Sequence, residues 1–402
     1  MITFTKKPSE TNLVTFNQLV LECSNLFEEN GSLTGNNVLR AQLLENSLMY
    51  RIFKETNFDS VFQSLKIAYQ YPGFPFIHQI LSNMKINHDE STIFRLIDLI
   101  NQEVRNYEKQ PLRTYRFFIP CRLTLELDSN EKDKLNKTIF DALGVQILER
   151  LPDRYLAQIK DGKFKQFFNW ERSVLNVDVE ARDRTFAGTV AEKKLLCFLG
   201  FIGFVNHYPK TTIFHWSLDG NEAYCENPLE KQVALFENNV LLYPEVKSFL
   251  SLELQIKDTD LSLVNKECWV VHNKQNGNYQ DLLRLLSFSY AHKEHGQILY
   301  DSLKIYFSAI TEKLPELAFL KFWISFEILM KKGEKTKDSE YIQKLKEQNI
   351  FPGDIIDSLY KKRCDVAHEY KTDFISFQEV SFAKDIAETV LLNIDRFWNK
   401  NA

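Results

Sequence analysis

Glycine is scarce in this chain, with 13 among 402 residues. Loops that cradle phosphate need glycine where backbone approaches ligand, so nucleotide-binding folds start at a disadvantage. Gly31-Ser32-Leu33-Thr34-Gly35 is not a phosphate loop, because the required lysine and Ser/Thr do not follow. No dinucleotide fingerprint and no serine-hydrolase elbow stands out either. The six cysteines, at 23, 121, 197, 225, 268 and 364, are far apart and form no CxxC pair. That excludes a zinc knuckle or thioredoxin-type motif and suits a reducing compartment. A surplus of one charge is also missing: 50 Lys+Arg stand against 54 Asp+Glu. From Gly296 onward the count is 16 against 17, which leaves 34 against 37 before it. Neither part is a basic module that grips nucleic acid non-specifically, so any RNA contact must come from a local patch. The longest apolar run, Leu195 to Val205, covers 11 residues. A spanning helix needs ~20, so this run reads as a buried helix. Met1 to Lys7 lacks the apolar core of a signal peptide. The expectation is a soluble, cytoplasmic chain with no membrane association.

What is present is apolar material. Hydrophobic residues make up 44% and phenylalanine alone contributes 32, enough for full cores and against general disorder. At ~100–200 residues per domain, two or three domains are expected. Residues 1–112 read as mainly helical. Phe16, Leu19, Val20, Cys23 and Phe27 follow helical spacing, as do Phe94, Leu96, Ile97, Ile100 and Val104. Asn30-Gly31 and Tyr71-Pro72-Gly73-Phe74-Pro75 break the backbone between them. From Tyr115 the period changes to two: Phe117, Ile119, Cys121, Leu123, Leu125 and Leu127 alternate as in a half-buried strand. Pro120 favours an edge or bulge there. A helix is expected from about Glu131 to Leu148. Further strands are expected at Val174 to Val179, Thr212 to Trp216 and Cys268 to Val271. Residues 113–275 therefore read as an α+β domain with a sensing or regulatory role, and the whole chain as α+β.

From Tyr279 the pattern is helical to the end, which makes residues 276–402 an all-α bundle. One or two helices run to about Lys313, and Pro315 sits where a new one starts. That helix turns Phe319, Trp323 and Phe326 inward. Lys331 to Ser339 form a polar loop, and a short helix holds Tyr341, Ile342 and Leu345. After Pro352-Gly353, Asp354 is expected as N-cap of the next helix. The last helix lines up Phe377, Val380, Ala383, Ala387, Val390, Leu391, Ile394 and Trp398.

The functional reading rests on Leu359-Tyr360-Lys361-Lys362-Arg363-Cys364-Asp365-Val366-Ala367-His368, near the C-terminus. An arginine and a histidine separated by four residues close a helix. This resembles the signature of HEPN domains, a helical family with many metal-independent endoribonucleases. Apolar Val366 and Ala367 directly precede the histidine. Upstream, Phe319 to Leu329 looks like the tryptophan- and glutamate-bearing helix of the Apea-like HEPN branch. The resemblance covers roughly Tyr279 to Trp398. It implies RNA cleavage without metal or cofactor, dimerisation through the bundle, and a role in antiviral defence or as a toxin. The RNA target would be host or invader RNA, with tRNA among the candidates, and residues 1–275 would sense a phage-derived or other trigger, restrain the nuclease or choose the RNA.

The residues suit that chemistry. The ribose 2′-OH must attack its own phosphodiester, which needs a base, an acid for the leaving 5′-oxygen and a cation for the phosphorane. His368 titrates near neutrality and serves as acid or base. Arg363 stays charged and forks onto phosphate oxygens. Products would be a 2′,3′-cyclic phosphate and a 5′-hydroxyl. Phe319, Trp323 and Glu327 share one helix stripe, and an acid on an apolar stripe is costly unless paired. Arg363 is the expected partner. One departure stands out: the family usually has a polar amide or acid after the arginine, whereas here Cys364 follows and Asp365 comes a place later. Asp365 then substitutes, or the site is weakened, or it is degenerate. Lys361 and Lys362 are expected to line an RNA-binding cleft. Five residues of helix turn through ~500°, so Arg363 and His368 lie ~140° apart, and two copies are needed to close a site.

Three weaker constellations carry less. His292 and His295 lack a third and fourth ligand for zinc. Glu253 to Lys257 reads as a half-buried strand more simply than as a nuclease core. Lys331, Lys332, Lys335 and Lys337 read as a solvated loop before an RNA contact. The rival class is a non-catalytic interaction protein, whose bundle docks or dimerises and whose Glu327–Arg363 pair is structural.

Overall fold

The computed structural model describes residues 1–33, 38–68, 70–71, 74–87, 91–161, 173–207, 229, 232–246, 269–273, 278–291, 293–312, 314–331, 337–348, 351–369 and 375–398. Side chains at several element ends, His368 and Glu369 among them, lie outside the description. The chain is mixed α+β, and its Cα trace divides into two compact units. The first takes in Met1–Tyr115, Val179–Val190 and Glu237–Val240; the second takes in the rest.

The N-terminal elements are α1 (Glu10–Ser24), α2 (Val38–Glu55), α3 (Phe58–Leu65), β1 (Gln70–Tyr71), β2 (Phe74–Pro75), α4 (Phe76–Ile86) and α5 (Ile93–Glu108). Of the helical periods expected for α1 and α5, Phe16, Val20, Cys23, Leu96, Ile97, Ile100 and Val104 are buried in one core, whereas Phe94 is exposed in the first turn of α5 and Phe27, though buried, lies beyond the end of α1. Ser9 and Thr92 cap these two helices with their side chains, which satisfies backbone N–H groups the first turn leaves open. Within this core Glu45 is fully buried and accepts from His78 Nδ1 at 2.7 Å.

The remaining elements are β3 (Arg113–Pro120), β4 (Leu123–Glu126), α6 (Ser129–Leu143), β5 (Val145–Leu148), α7 (Asp153–Asp161), β6 (Val174–Ala181), α8 (Arg184–His207), β7 (Gln232–Glu237), β8 (Val240–Val246), β9 (Trp269–His272), α9 (Tyr279–Ala291), α10 (Lys293–Ile310), α11 (Pro315–Lys331), α12 (Asp338–Glu347), α13 (Gly353–Glu369), α14 (Phe377–Leu392) and α15 (Ile394–Trp398). One sheet has the order β5-β6-β3-β7-β8, and β4 pairs in parallel with β9. β5 and β6 are antiparallel, with Val145 opposite Val177.

Several expectations need correction. The helix expected to run to Leu148 stops at Leu143, because Gly144 adopts a left-handed φ of 65°. Glycine bears that conformation without a Cβ penalty, and Val145 to Leu148 then form β5. Pro120 does not mark an edge. It ends β3, a central strand of its sheet, where a missing N–H costs least. β3 is also buried on both faces at its C-terminal end rather than half-buried. The strand expected at 212–216 lies outside the described residues. Asp354 is not the N-cap of α13. Gly353 is already helical and the Pro352 carbonyl accepts from Ile356 N–H at 3.3 Å, so Asp354 sits in the first turn. α12 begins at Asp338, inside the span read as a loop. The last helix breaks at Asn393 into α14 and α15, and Phe377 is an exposed first residue rather than core.

The second unit has a close helix crossing. A Cβ on Gly200 of α8 would lie 2.7 Å from the Leu303 carbonyl of α10, so only glycine lets the two backbones meet there. Around the crossing, Phe201 packs edge-on to Tyr300 and Phe204 to Tyr306, and Trp269 of β9 meets Phe307. The apolar run Leu195 to Val205 is the buried C-terminal half of α8, as expected. No described helix is long and apolar enough to cross a membrane.

Candidate functional site

α11 is the helix around which the site is organised. Pro315 opens it, as expected, because its fixed φ suits a first turn. It packs against α10, α14, α13 and α12, so apolar residues recur all round it instead of along one stripe. Phe319, Phe322, Trp323 and Phe326 are fully buried. Ser302 and Ser325 keep α10 and α11 close, with the Ser302 hydroxyl donating to the Ser325 carbonyl at 2.8 Å. Trp323 Nε1 donates to the Tyr341 hydroxyl at 3.3 Å, and Trp398 Nε1 to the Leu329 carbonyl at 3.1 Å. These bonds satisfy polar atoms that the apolar packing would otherwise strand.

Against this frame α13 buries Ile356 and Leu359 and turns Tyr360 and Arg363, three residues apart, toward α11 and α12. The Glu327–Arg363 pair expected from the stripe is present. Arg363 Nη2 lies 3.2 Å from Glu327 Oε2 and 3.5 Å from Oε1. The side chains are 16% and 11% exposed, which makes this a largely desolvated pair. Glu327 has a second cation, Lys331, whose Nζ is 2.5 Å from Oε1. Lys331 also donates to Asp338 Oδ1 at 2.8 Å and lies over the Tyr341 ring at 5.1 Å. Asp338 Oδ2 in turn accepts from the Tyr360 hydroxyl at 3.1 Å. Five side chains from three helices thus form a closed ring: Arg363, Glu327, Lys331, Asp338, Tyr360 and back along α13.

The electrostatics follow the ring. Burial opposes the charge on Arg363, but Glu327, Tyr341 and Asp338 outweigh it and raise its pKa. Lys331 is raised in the same way, with burial opposed by Asp338 and Glu327. The hydrogen bond from Lys331 holds Asp338 below the ordinary 3.8, against burial, with help from Tyr360. Burial pushes the Tyr360 phenol up, as do Cys364 and Asp338. Arg363 and Lys331 are thus held as cations and Asp338 as an anion at neutral pH.

The other expected site residues fall elsewhere on α13. Cys364 is a half-buried free thiol that interacts with Tyr360 and Arg363. Asp365 is half-buried and lies ~200° from Arg363 around the helix. Lys361 is exposed, and Lys362 approaches Glu379 of α14 at 3.9 Å. His368 lies in the last turn of α13, while its side chain is outside the described residues. Lys332 and Lys335 are outside them too, as are the residues at 253–257 and the side chains at 292–295. Lys331 is not a solvated loop lysine. It ends α11 and is fixed by two carboxylates.

Lys331, Asp338 and Tyr360 were not singled out from sequence as members of this site. Glu327 and Lys331 stand four apart, so the ordinary helix-pair rule finds that contact. Asp338 has no local signal, because a separate helix, α12, brings it in. A second buried ionic group, Lys384–Glu388 at 2.5 Å with the Tyr306 hydroxyl on Glu388, ties α14 to α10. Burial raises the Glu388 pKa, and Lys384 opposes that. Among the described residues no group of three or more His, Cys, Asp or Glu is placed to hold a metal ion. No protein-family model, curated protein or solved structure matches this chain.

Proposed function

We propose that this chain is a metal-independent endoribonuclease of the HEPN type. The observation that carries the reading is the Arg363-to-His368 motif at the end of a helix, with its arginine paired to the buried Glu327 of the tryptophan-bearing helix. In this reading residues 276–402 are the HEPN-like bundle. Arg363 binds the scissile phosphate and stabilises the phosphorane, and His368 moves the proton. Cys364 and Asp365 lie between them, with Asp365 as the acid that substitutes for the family's polar residue, and Lys361, exposed on α13, meets the RNA backbone. Two copies pair so that both motifs face one phosphate. The chain acts in the cytoplasm as an antiviral defence or toxin effector on RNA such as tRNA, with residues 1–275 restraining it until triggered.

One observation favours the rival reading of a non-catalytic interaction protein. Arg363 is already engaged by Glu327, and Cys364 stands where the family has a stronger hydrogen-bond partner. The separating experiment is cleavage of total tRNA and a single-stranded RNA by wild type and His368→Ala, with EDTA present. Cleavage by wild type alone, leaving 2′,3′-cyclic phosphate ends, is the expected result. Equal cleavage by both proteins sinks the proposed site, and no cleavage by a dimeric, folded wild type, either alone or in phage-challenged cells that express it, favours the interaction protein.

A further inference from the structure

We infer that Lys331 is a positioning residue for Arg363, acting through the carboxylate the two cations share; the catalytic part of this inference rests on the nuclease reading above. Glu327 is buried on α11, and its single negative charge is shared between the two cations. Lys331 Nζ sits 2.5 Å from Oε1, while Arg363 Nη2 sits 3.2 Å from Oε2. The division of that charge decides how firmly the guanidinium is held against α11. An arginine clamped by an undivided carboxylate has less charge to offer a phosphate, and an arginine with no carboxylate loses its orientation.

The rest of the ring fixes that division. Asp338 takes a second proton of the Lys331 ammonium at 2.8 Å. Its other oxygen is taken by Tyr360, which stands three residues before Arg363 on the same helix. The Lys346–Asp357 pair at 2.6 Å ties α12 to α13 a turn further back. A shift of α12 therefore reaches Arg363 by two routes, through Lys331 and Glu327 and through Tyr360. Two carboxylates and two cations make the ring neutral as a whole, so the members other than Arg363 carry one surplus negative charge between them. Lys331 touches neither phosphate nor ribose in this scheme.

The variants that test this are Lys331→Met, which keeps the stem and removes the charge, and Lys331→Arg, which keeps both. Each is measured in the full-length chain. The first readout is the Arg363 side-chain Nε–Hε resonance in arginine-labelled protein, assigned with Arg363→Lys. Lys331→Met should move it, and Lys331→Arg should leave it near the wild-type position. An unmoved resonance in a folded Lys331→Met protein overturns the inference, whatever the protein does to RNA. The second readout is steady-state cleavage of single-stranded RNA. Lys331→Met should lower kcat about 10-fold, equivalent to ~1.4 kcal/mol of transition-state stabilisation, with KM within about twofold. Lys331→Arg should restore kcat to within about threefold. A loss in KM alone, or no recovery with arginine, overturns the positioning role. A wild type that cleaves nothing, either alone or in phage-challenged cells that express it, while the resonance moves fails the nuclease reading and keeps the coupling.

Discussion

Replacing Glu327 by glutamine removes one charge from the ring while leaving its shape, and the cost can be worked from the distances. Arg363 at 3.2 Å and Lys331 at 2.5 Å each attract the carboxylate. At an effective dielectric of ~20 each attraction is about 5–7 kcal/mol before desolvation is counted. Most of that is cancelled by the cost of taking the charges out of water. Removing one partner of a fully buried pair costs ~3–5 kcal/mol, and an exposed pair contributes ~0–1. The three side chains are 11%, 16% and 24% exposed, which sets Glu327→Gln between those limits, at about 2–3 kcal/mol. For a unit of this size that corresponds to a fall of ~3–5 °C in Tm. Urea unfolding at pH 7 is the assay, run on Glu327→Gln, Arg363→Met and the double variant. The cycle should return a coupling of ~1–2 kcal/mol that survives 0.5 M salt, since screening acts weakly on desolvated pairs. A Glu327→Gln protein within about 0.5 kcal/mol of wild type, or a coupling near zero, refutes the argument that the ring holds α13 to α11.

Three other outcomes follow from the same geometry. Asp338 has a depressed pKa in the folded chain, so its stabilisation is complete above the unfolded value and is lost as pH falls through the lower folded value. Melting curves from pH 6 down to 3 should steepen below about pH 4, and Asp338→Asn should flatten that acid limb. Lys384→Met strands the buried Glu388 and should cost ~3 kcal/mol at pH 7, shrinking as pH falls because Glu388 takes a proton; the Lys384→Met/Glu388→Gln double should recover most of the loss. A single that costs as much at pH 5 as at pH 7 contradicts this account of the pair. Gly200→Ala forces α8 and α10 apart and should cost ~1–3 kcal/mol in chemical denaturation, whereas Gly353→Ala, whose Cβ meets nothing closer than 3.8 Å, should be near neutral.

The elements legible in the sequence are those whose cause is local. Pro315 fixes its own φ and so announces the start of α11, and the run from Leu195 is too apolar for any place but a core. Helical spacing also reaches Glu327. An acid one turn beyond Trp323 needs a cation, and Arg363 was the candidate. What escaped is what distance in sequence hides. β5 was read as a continuation of α6 because Val145 to Leu148 suits either state, and only Gly144 separates them. Asp338 joins the ring because α12 packs beside α11, which no spacing encodes. Pro120 looked like an edge because its chemistry forbids a mid-strand donor, yet a strand's last residue escapes that rule. The strand expected at 212–216 and the side chain of His368 lie outside the described residues.

The crossing at Gly200 has a consequence for anyone who wishes to work with the C-terminal helices alone. α10 meets α8 backbone against backbone, and Trp269 closes the same wall over Phe307. A fragment starting at residue 276 would carry Leu303, Tyr306 and Phe307 into water on the side that α8 and β9 cover. Grafting these helices onto another protein therefore means carrying α8 with them, or repainting that wall with polar residues. The natural seam for dissection is the boundary of the compact unit, and the start of the helical stretch falls inside it.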